Sequence, residues 1–396
     1  MPNSSKSSRA RSGAAVAVAL IAAVLAGCLA EPPAGRGTNP TLTTTTVVAG
    51  LDHPWDLAFP PAPNDSWMLY TERGGKVSAK QLPNGAPVVL GQLGTGLAGT
   101  AGFVVTGEGG LLGLAVDPEF TTNHYVYACY DTTTDVRLAR FTVNSFAPGA
   151  LQHNSDIVTG IPVNPSGRHS GCRPRFRPSS NPPQLFIGTG DSATDGTIPQ
   201  NLQSLGGKVL CVDRNGAACA GNPGIGDPAI DDRIFSWGHR NVQGIAFNPD
   251  GSGWSVEHGT DRDDEINVLI PADFGWNPVS GPASTAYDES QPMTRPGALG
   301  PSWASASPTT APSGATVLWG PQWKGWHRAV AVAMLKKQEL YIIYMDDFLG
   351  LSNLGLTVAI GDRGRLRSAV EGPDGNLYIS TDNGSMNDQI LKVVPS

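Results

Sequence analysis

Charged side chains are scarce in this sequence. Asp, Glu, Lys and Arg make up 15% of the 396 residues, and aromatic residues 7%. So little charge excludes the salt-bridge-laced helices of a coiled coil. With 40% apolar residues the chain is not disordered over most of its length. A basic excess is missing as well: the net charge is −7, which argues against a nucleic-acid partner. No apolar run reaches the ~20 residues of a membrane span. Sustained helical periodicity is absent, which leaves a two-domain α/β protein as a weak alternative to an all-β chain. What is abundant is Gly, at 49, and Pro, at 33, the punctuation of a turn-rich β protein.

The N-terminus reads as an address. Lys6, Arg9 and Arg11 precede the short apolar run "AAVAVALIAAVLAGC", the pattern of a secretory signal. "LAGC", ending at Cys28, resembles a bacterial lipobox. Residues 1–28 are therefore expected to be a lipoprotein signal peptide, an ordinary signal peptide being the alternative. Residues 29–42 are expected to be a flexible polar tether, and 43–396 the folded domain. The expected location is the bacterial cell surface, with membrane contact only through the lipid anchor on Cys28.

Four cysteines remain, an even number that suggests two disulfides in an exported chain. Cys211 and Cys219 flank the turn-like "VDRNGAA" and are paired; Cys129–Cys172 follows by elimination. This bears on "GRHSGC" (167–172), where His169 and Cys172 stand three apart. A disulfide sulfur is no attacking thiolate, so His169 is not half of a His–Cys nucleophilic pair.

One pattern recurs: an alternating apolar strand, a Pro or Pro-Asp-Gly turn, then a second strand. "PWDLAFPPAPNDSWMLYTERGGKVSA", "LLGLAVDPEFTTNHYVYACYD", "VQGIAFNPDGSGWSVEHGTD" and "LRSAVEGPDGNLYISTDNG" carry it. The units start near 54, 111, 172, 242, 329 and 366. Each is a hairpin, and roughly sixty residues per unit fits one propeller blade with a long loop. The expectation is an all-β, six-bladed β-propeller. Its last blade is closed by the N-terminal strand "TTTTVVAGL" lying beside "QILKVVPS".

Polar exceptions to the repeat cluster at the blade entrances. They place Arg240, Lys336, Arg365 and Arg367 on separate blades or turns, and converging cations make an anion site. "DRDDEIN" gathers Asp261, Asp263, Asp264 and Glu265. Oxygen-rich clusters suit Ca²⁺, although this one lacks EF-hand spacing and also suits a solvated acidic turn.

"GEGGLLGLAVDPEF", "RHSGCR", "LGGKVL", "GHRNVQGIAFNP", "EHGTDRDDEIN", "FGWNP" and "GRLRSAVEGPDGNLYISTDNG" follow one another in this order. Together they resemble the soluble pyrroloquinoline quinone (PQQ)-dependent sugar dehydrogenases of the glucose/sorbosone dehydrogenase family, and within it the aldose sugar dehydrogenase branch. The resemblance covers roughly residues 45–394. It implies PQQ and Ca²⁺ as cofactors, a small sugar as substrate and an external electron acceptor. It makes His169 the general base, and Arg240 with Asn241 the pair that meets the quinone. Glu108, Tyr287, Trp319, Lys336 (or Lys337), Arg365 and Arg367 are implied as further cofactor contacts. Gly259, Thr260, Glu265 and Phe274 are implied as calcium ligands. Thr260, Leu318, Cys172 and Glu108 depart from the family pattern.

The chemistry wants these residue types. PQQ carries three carboxylates, which call for several cations, and Arg meets a carboxylate in bidentate fashion. A neutral His suits removal of a hydroxyl proton near neutral pH. A Ca²⁺-dependent propeller lactonase and a cell-surface binding propeller without cofactor are the competing readings. Trp303, Trp319, Trp323 and Trp326 are candidates to stack on a sugar, although packing is the commoner fate of propeller tryptophans.

Overall fold

The computed structural model describes residues 37–94, 96–345 and 353–396. The expected signal peptide, with Cys28, and most of the expected tether lie outside the described residues. Six four-stranded antiparallel sheets follow one another along the chain, at 54–92, 111–161, 171–237, 242–304, 312–360 and 366–395. They are the six blades of a β-propeller. The sixth is completed by Leu42–Leu51, which pairs with Asp388–Pro395 from Leu42↔Pro395 to Leu51↔Asp388. The ring is therefore sealed by its two chain ends, and no inner edge is left open.

The first strand of each blade is the innermost, and each packs against the first strand of the next. That crowding dictates small residues. At Gly314 in the fifth blade an added Cβ would stand 2.7 Å from the Cα of Ser368 on the sixth. Here the structure corrects the sequence reading. The fifth unit begins with Pro312–Val317, "PSGATV", not near 329. "AVAVAM" supplies its second strand, Val330–Met334. The true inner strand lacks apolar alternation because it faces the narrow axis.

Between blades the apolar side chains interdigitate, as where Leu69 and Leu90 of the first blade meet Leu111 and Tyr130 of the second. Each such fully buried side chain contributes about 1.5–3 kcal/mol. Trp303, Trp323 and Trp326 go into these inter-blade layers. Both expected disulfides are present, Cys129–Cys172 and Cys211–Cys219. The first ties the second blade to the strand that follows His169.

The propeller axis is filled by a charged knot. Asp56 pairs with Arg173 at 2.5 Å and with Arg175 at 2.8 Å. Arg173 is fully buried, donates to the Gln243 carbonyl at 2.7 Å, and lies over the Trp55 ring at 3.9 Å. Asp56 also accepts from the Leu114 amide and the Ser368 hydroxyl. Burial pushes the Asp56 carboxyl up, but the two guanidiniums override it and hold the group well below the usual carboxylate range.

Candidate active site

In an antiparallel blade, the loop before the first strand and the loop after the second emerge on the same face. Nearly all the polar exceptions lie on such loops. They surround a cavity of about 520 Å³ at one mouth of the channel, walled by Arg73, Lys336, Arg365, Arg367, His53 and His258 and by Glu108 and Asp382.

His169 sits beside this mouth, almost completely buried, in a left-handed backbone conformation (φ +52°). Its turn is pinned from several sides. Glu108 accepts the His169 amide at 2.8 Å, Asp131 accepts the Ser170 hydroxyl at 2.7 Å, and Asn241 accepts the Gly171 amide at 3.2 Å. The Asn241 carbonyl in turn accepts the His258 amide at 3.1 Å. A Cβ at Gly190 would collide with the His169 carbonyl. Behind the ring, Asp191 takes the Nδ1 proton at 2.7 Å. Burial pushes the Asp191 carboxyl up, yet His169 and its other donors outweigh this and hold it ionised. Those donors include the Tyr287 hydroxyl and the Trp276 indole, both at 2.7 Å from Oδ2. An ionised carboxylate can only accept, so Nδ1 is the donor of this pair and Nε2 is the ring nitrogen left for another partner.

Arg240 is buried next to this pair. It donates to the His258 carbonyl at 3.1 Å and to Glu289 at 2.7 Å, while its Nε has no partner among the described residues. Burial lowers the guanidinium's affinity for its proton, but Tyr287, Asp191 and Glu289 more than compensate.

The cations on the cavity wall are unequally satisfied. Arg367 is buried and pairs with Asp382 at 2.5 Å, its Nε without a partner among the described residues. Arg365 is 43% exposed and only 3.6 Å from the same carboxylate. Lys336 is exposed on the turn after Val330–Met334, without an ion pair among the described residues. Lys336 lines the cavity, and Lys337 is not among its lining residues. Four cavity groups escaped the sequence reading: Arg73, His258, Asp382 and His53, whose Nδ1 lies 2.5 Å from Asp382. Asp191, at the end of the plain strand sequence "LFIGTGD", and Glu289, in an aperiodic loop, escaped it too.

Trp319 does not join the site. It follows the inner strand Pro312–Val317, whereas the cavity residue Ala311 precedes it. Six residues of strand, about 20 Å, separate the two, and Trp319 lies 40% exposed beside His327 near the opposite mouth. Leu318, beside it, is buried in the core.

The expected calcium ligands fall in two places. The Gly259 carbonyl is within 2.7 Å of His258 Nδ1, and the Thr260 hydroxyl donates to Asp261. Glu265 is buried beside Glu257. Burial and that neighbour raise its carboxyl well above the ordinary value. Asn267 donates to both carboxylates, but its own Oδ1 is buried without a partner. Phe274 is buried too, stacked on His239 at 4.8 Å. No cluster of three or more His, Cys, Asp or Glu side chains suited to a metal ion occurs among the described residues. Asn267 turns its amide nitrogen, not its oxygen, to the two carboxylates, so the three groups do not converge as oxygen ligands on one cation.

Residues 51–392 match the family Glucose / Sorbosone dehydrogenase. The chain belongs to that family. It is 30% identical to aldose sugar dehydrogenase YliI of Escherichia coli over 90% of this chain and 93% of that one. It is 25% identical to quinoprotein glucose dehydrogenase B of Acinetobacter calcoaceticus over 70% and 73%. The PQQ-bound aldose sugar dehydrogenase of Streptomyces coelicolor superposes with a TM-score of 0.72 at 28% identity, covering 91% of this chain and all of that one. In this chain Lys336, Arg365 and Arg367 line the cavity at the channel mouth, with His169 and Arg240 beside it.

Proposed function

We propose that the protein oxidises aldose sugars at C1 to lactones, using PQQ, Ca²⁺ and an external electron acceptor. One observation carries this reading: a carboxylate-backed imidazole stands beside a cavity with more cationic charge than its own carboxylates neutralise. Four Arg and Lys side chains wall that cavity against two carboxylates. The excess fits a polyanion.

PQQ, when bound, supplies the carbon that accepts hydride. Arg73, Lys336, Arg365 and Arg367 are the groups to hold its carboxylates. His169 removes the C1 hydroxyl proton through Nε2, while Asp191, Tyr287 and Trp276 hold the ring in the required tautomer and orientation. Arg240, buried and preorganised, supports negative charge developing at its side of the site. Ca²⁺ would be held by the oxygens that the resemblance implies, the Gly259 and Thr260 carbonyls or Glu265 with the Phe274 carbonyl. A lactonase would leave the excess cations without a task. Export with lipidation at Cys28 remains part of the proposal; Cys28→Ser should release the protein from the membrane fraction.

The test is His169→Ala. PQQ should still bind, seen as its visible absorbance on the protein, while turnover falls about 10²- to 10⁴-fold. Turnover close to wild type with the cofactor bound would place the base elsewhere.

A further inference from the structure

His169 keeps a left-handed backbone (φ +52°), which a non-glycine residue holds only where its surroundings over-determine it. Part of that determination comes from behind the site. The strand Tyr125–Asp131 of the second blade meets the His169 turn at two points. Cys129 is joined to Cys172, and Asp131 accepts the Ser170 hydroxyl at 2.7 Å. Cys129 and Asp131 are two residues apart on one strand and so share a face. Ser170 and Cys172 are two apart as well, running the opposite way. The contacts are therefore two successive rungs between the second and third blades, one covalent and one hydrogen-bonded. His169 is next in sequence to the hydrogen-bonded one. All four residues are buried, and none is among those lining the cavity. Gly109 seals the second rung: an added Cβ there would collide with the Asp131 carboxylate and stand 3.1 Å from Ser170 Oγ. Its neighbour Glu108 accepts the His169 amide.

We propose that Cys129, Asp131, Ser170 and Cys172 are positioning residues for the base. One rung alone would let the turn pivot about it; two fix both its place and its direction. The Asp131–Ser170 rung is a hydrogen bond, which local opening of a turn breaks. The Cys129–Cys172 rung is covalent, and such opening leaves it intact. Together they keep His169 where its Nδ1 meets Asp191 and its Nε2 is left for the hydroxyl proton. The other disulfide is the contrast. Cys211 and Cys219 stand eight residues apart across a local hairpin that Val212 and Ala218 also close. No residue of that hairpin is among those lining the cavity.

The kinetic arm of this inference rests on the aldose-oxidation reading; its spectroscopic arm does not. Three variants are compared with the wild type at a temperature where all are folded: Cys129→Ala with Cys172→Ala, Ser170→Ala, and Cys211→Ala with Cys219→Ala. In the PQQ-loaded protein the first should lower kcat about 10²-fold, the scale of a displacement of about 1 Å. Ser170→Ala should lower it about 10-fold, the lower end for one hydrogen bond to a charged group. KM and PQQ affinity should stay within a few-fold in both. The third variant should lose thermal stability with kcat unchanged, which separates positioning from cross-linking as such. In the apo-protein, nitrogen NMR of isotope-labelled histidines reads the ring directly, with His169→Gln assigning the signal. The wild type and the third variant should show Nδ1 protonated, and the two rung variants a mixture of tautomers. Wild-type kcat with an unchanged His169 signal in both rung variants overturns the inference, as does an equal loss of kcat in the third variant. If the first variant fails to fold, Ser170→Ala decides alone. The tautomer mixture in the rung variants, with no PQQ-dependent turnover even in the wild type, upholds the positioning and overturns the dehydrogenase reading.

Discussion

Arginine does two different jobs along the propeller axis. Deep in the channel, Arg173 is enclosed on all sides by Asp56, the Gln243 carbonyl and the Trp55 ring. At the mouth, Arg365 and Lys336 stand with weak or no pairing beside a large cavity. The residues are of the same chemical type and lie on neighbouring strands and turns. Paired charge closes the channel and holds blades together; spare charge waits for a partner from outside. The difference lies in the count of opposite charges within reach, which the composition of the chain does not reveal.

The comparison can be broken first at the axis. Arg173→Gln leaves Asp56 with half its compensation, and removing one partner of a buried pair costs about 3–5 kcal/mol. Urea unfolding should show that loss. If Arg173 were spare charge as at the mouth, stability would not move. The same knot sets an acid dependence. Asp56 is held below its unfolded value of about 3.9, so its stabilisation is complete above that pH and is lost as pH falls through the native value. Asp56→Asn should flatten the decline of stability below about pH 4, as measured by fluorescence-monitored unfolding.

Between the two regions stands Arg240, buried like Arg173 but with an unpartnered Nε. Arg240→Ala should cut kcat about 10²- to 10³-fold at saturating PQQ, the cost of losing one preorganised donor. Full recovery of turnover at high PQQ would make it a cofactor anchor only. Arg365→Ala, at the exposed end, should instead weaken PQQ binding about 10-fold, near the lower end for one charged hydrogen bond, with unfolding unchanged. Trp319→Ala, at the other mouth, should alter both by about twofold or less.

The six blades were legible in the sequence because five of the six hairpins combine alternation with a Pro or Gly turn, and "AVAVAMLKKQELYIIYMDD" keeps the two strands without it. The fifth was set one strand late, since "PSGATV" trades apolar residues for small ones where Gly314 meets Ser368. His169 and Arg240 stood out as polar breaks in an apolar repeat. Asp191 did not, because "GTGD" ends a strand like any other and its role comes only from the ring packed against it. Glu289 and Tyr287 sit in a loop whose path over the site follows from the Trp237–Asp273 bridge, a contact no periodicity announces. Trp319 was assigned because it adjoins Leu318, a departure from the family pattern; the direction of one strand carries it to the opposite mouth.

The claim that the spare cations await a polyanionic quinone is tested most directly by titrating the apo-protein with PQQ and following its visible absorbance. The wild type should saturate at one equivalent, and with Ca²⁺ and an artificial electron acceptor it should then oxidise aldoses. A double variant, Lys336→Gln with Arg365→Gln, should bind much more weakly while remaining folded. Undiminished binding in that variant, or no binding in the wild type, would contradict the account.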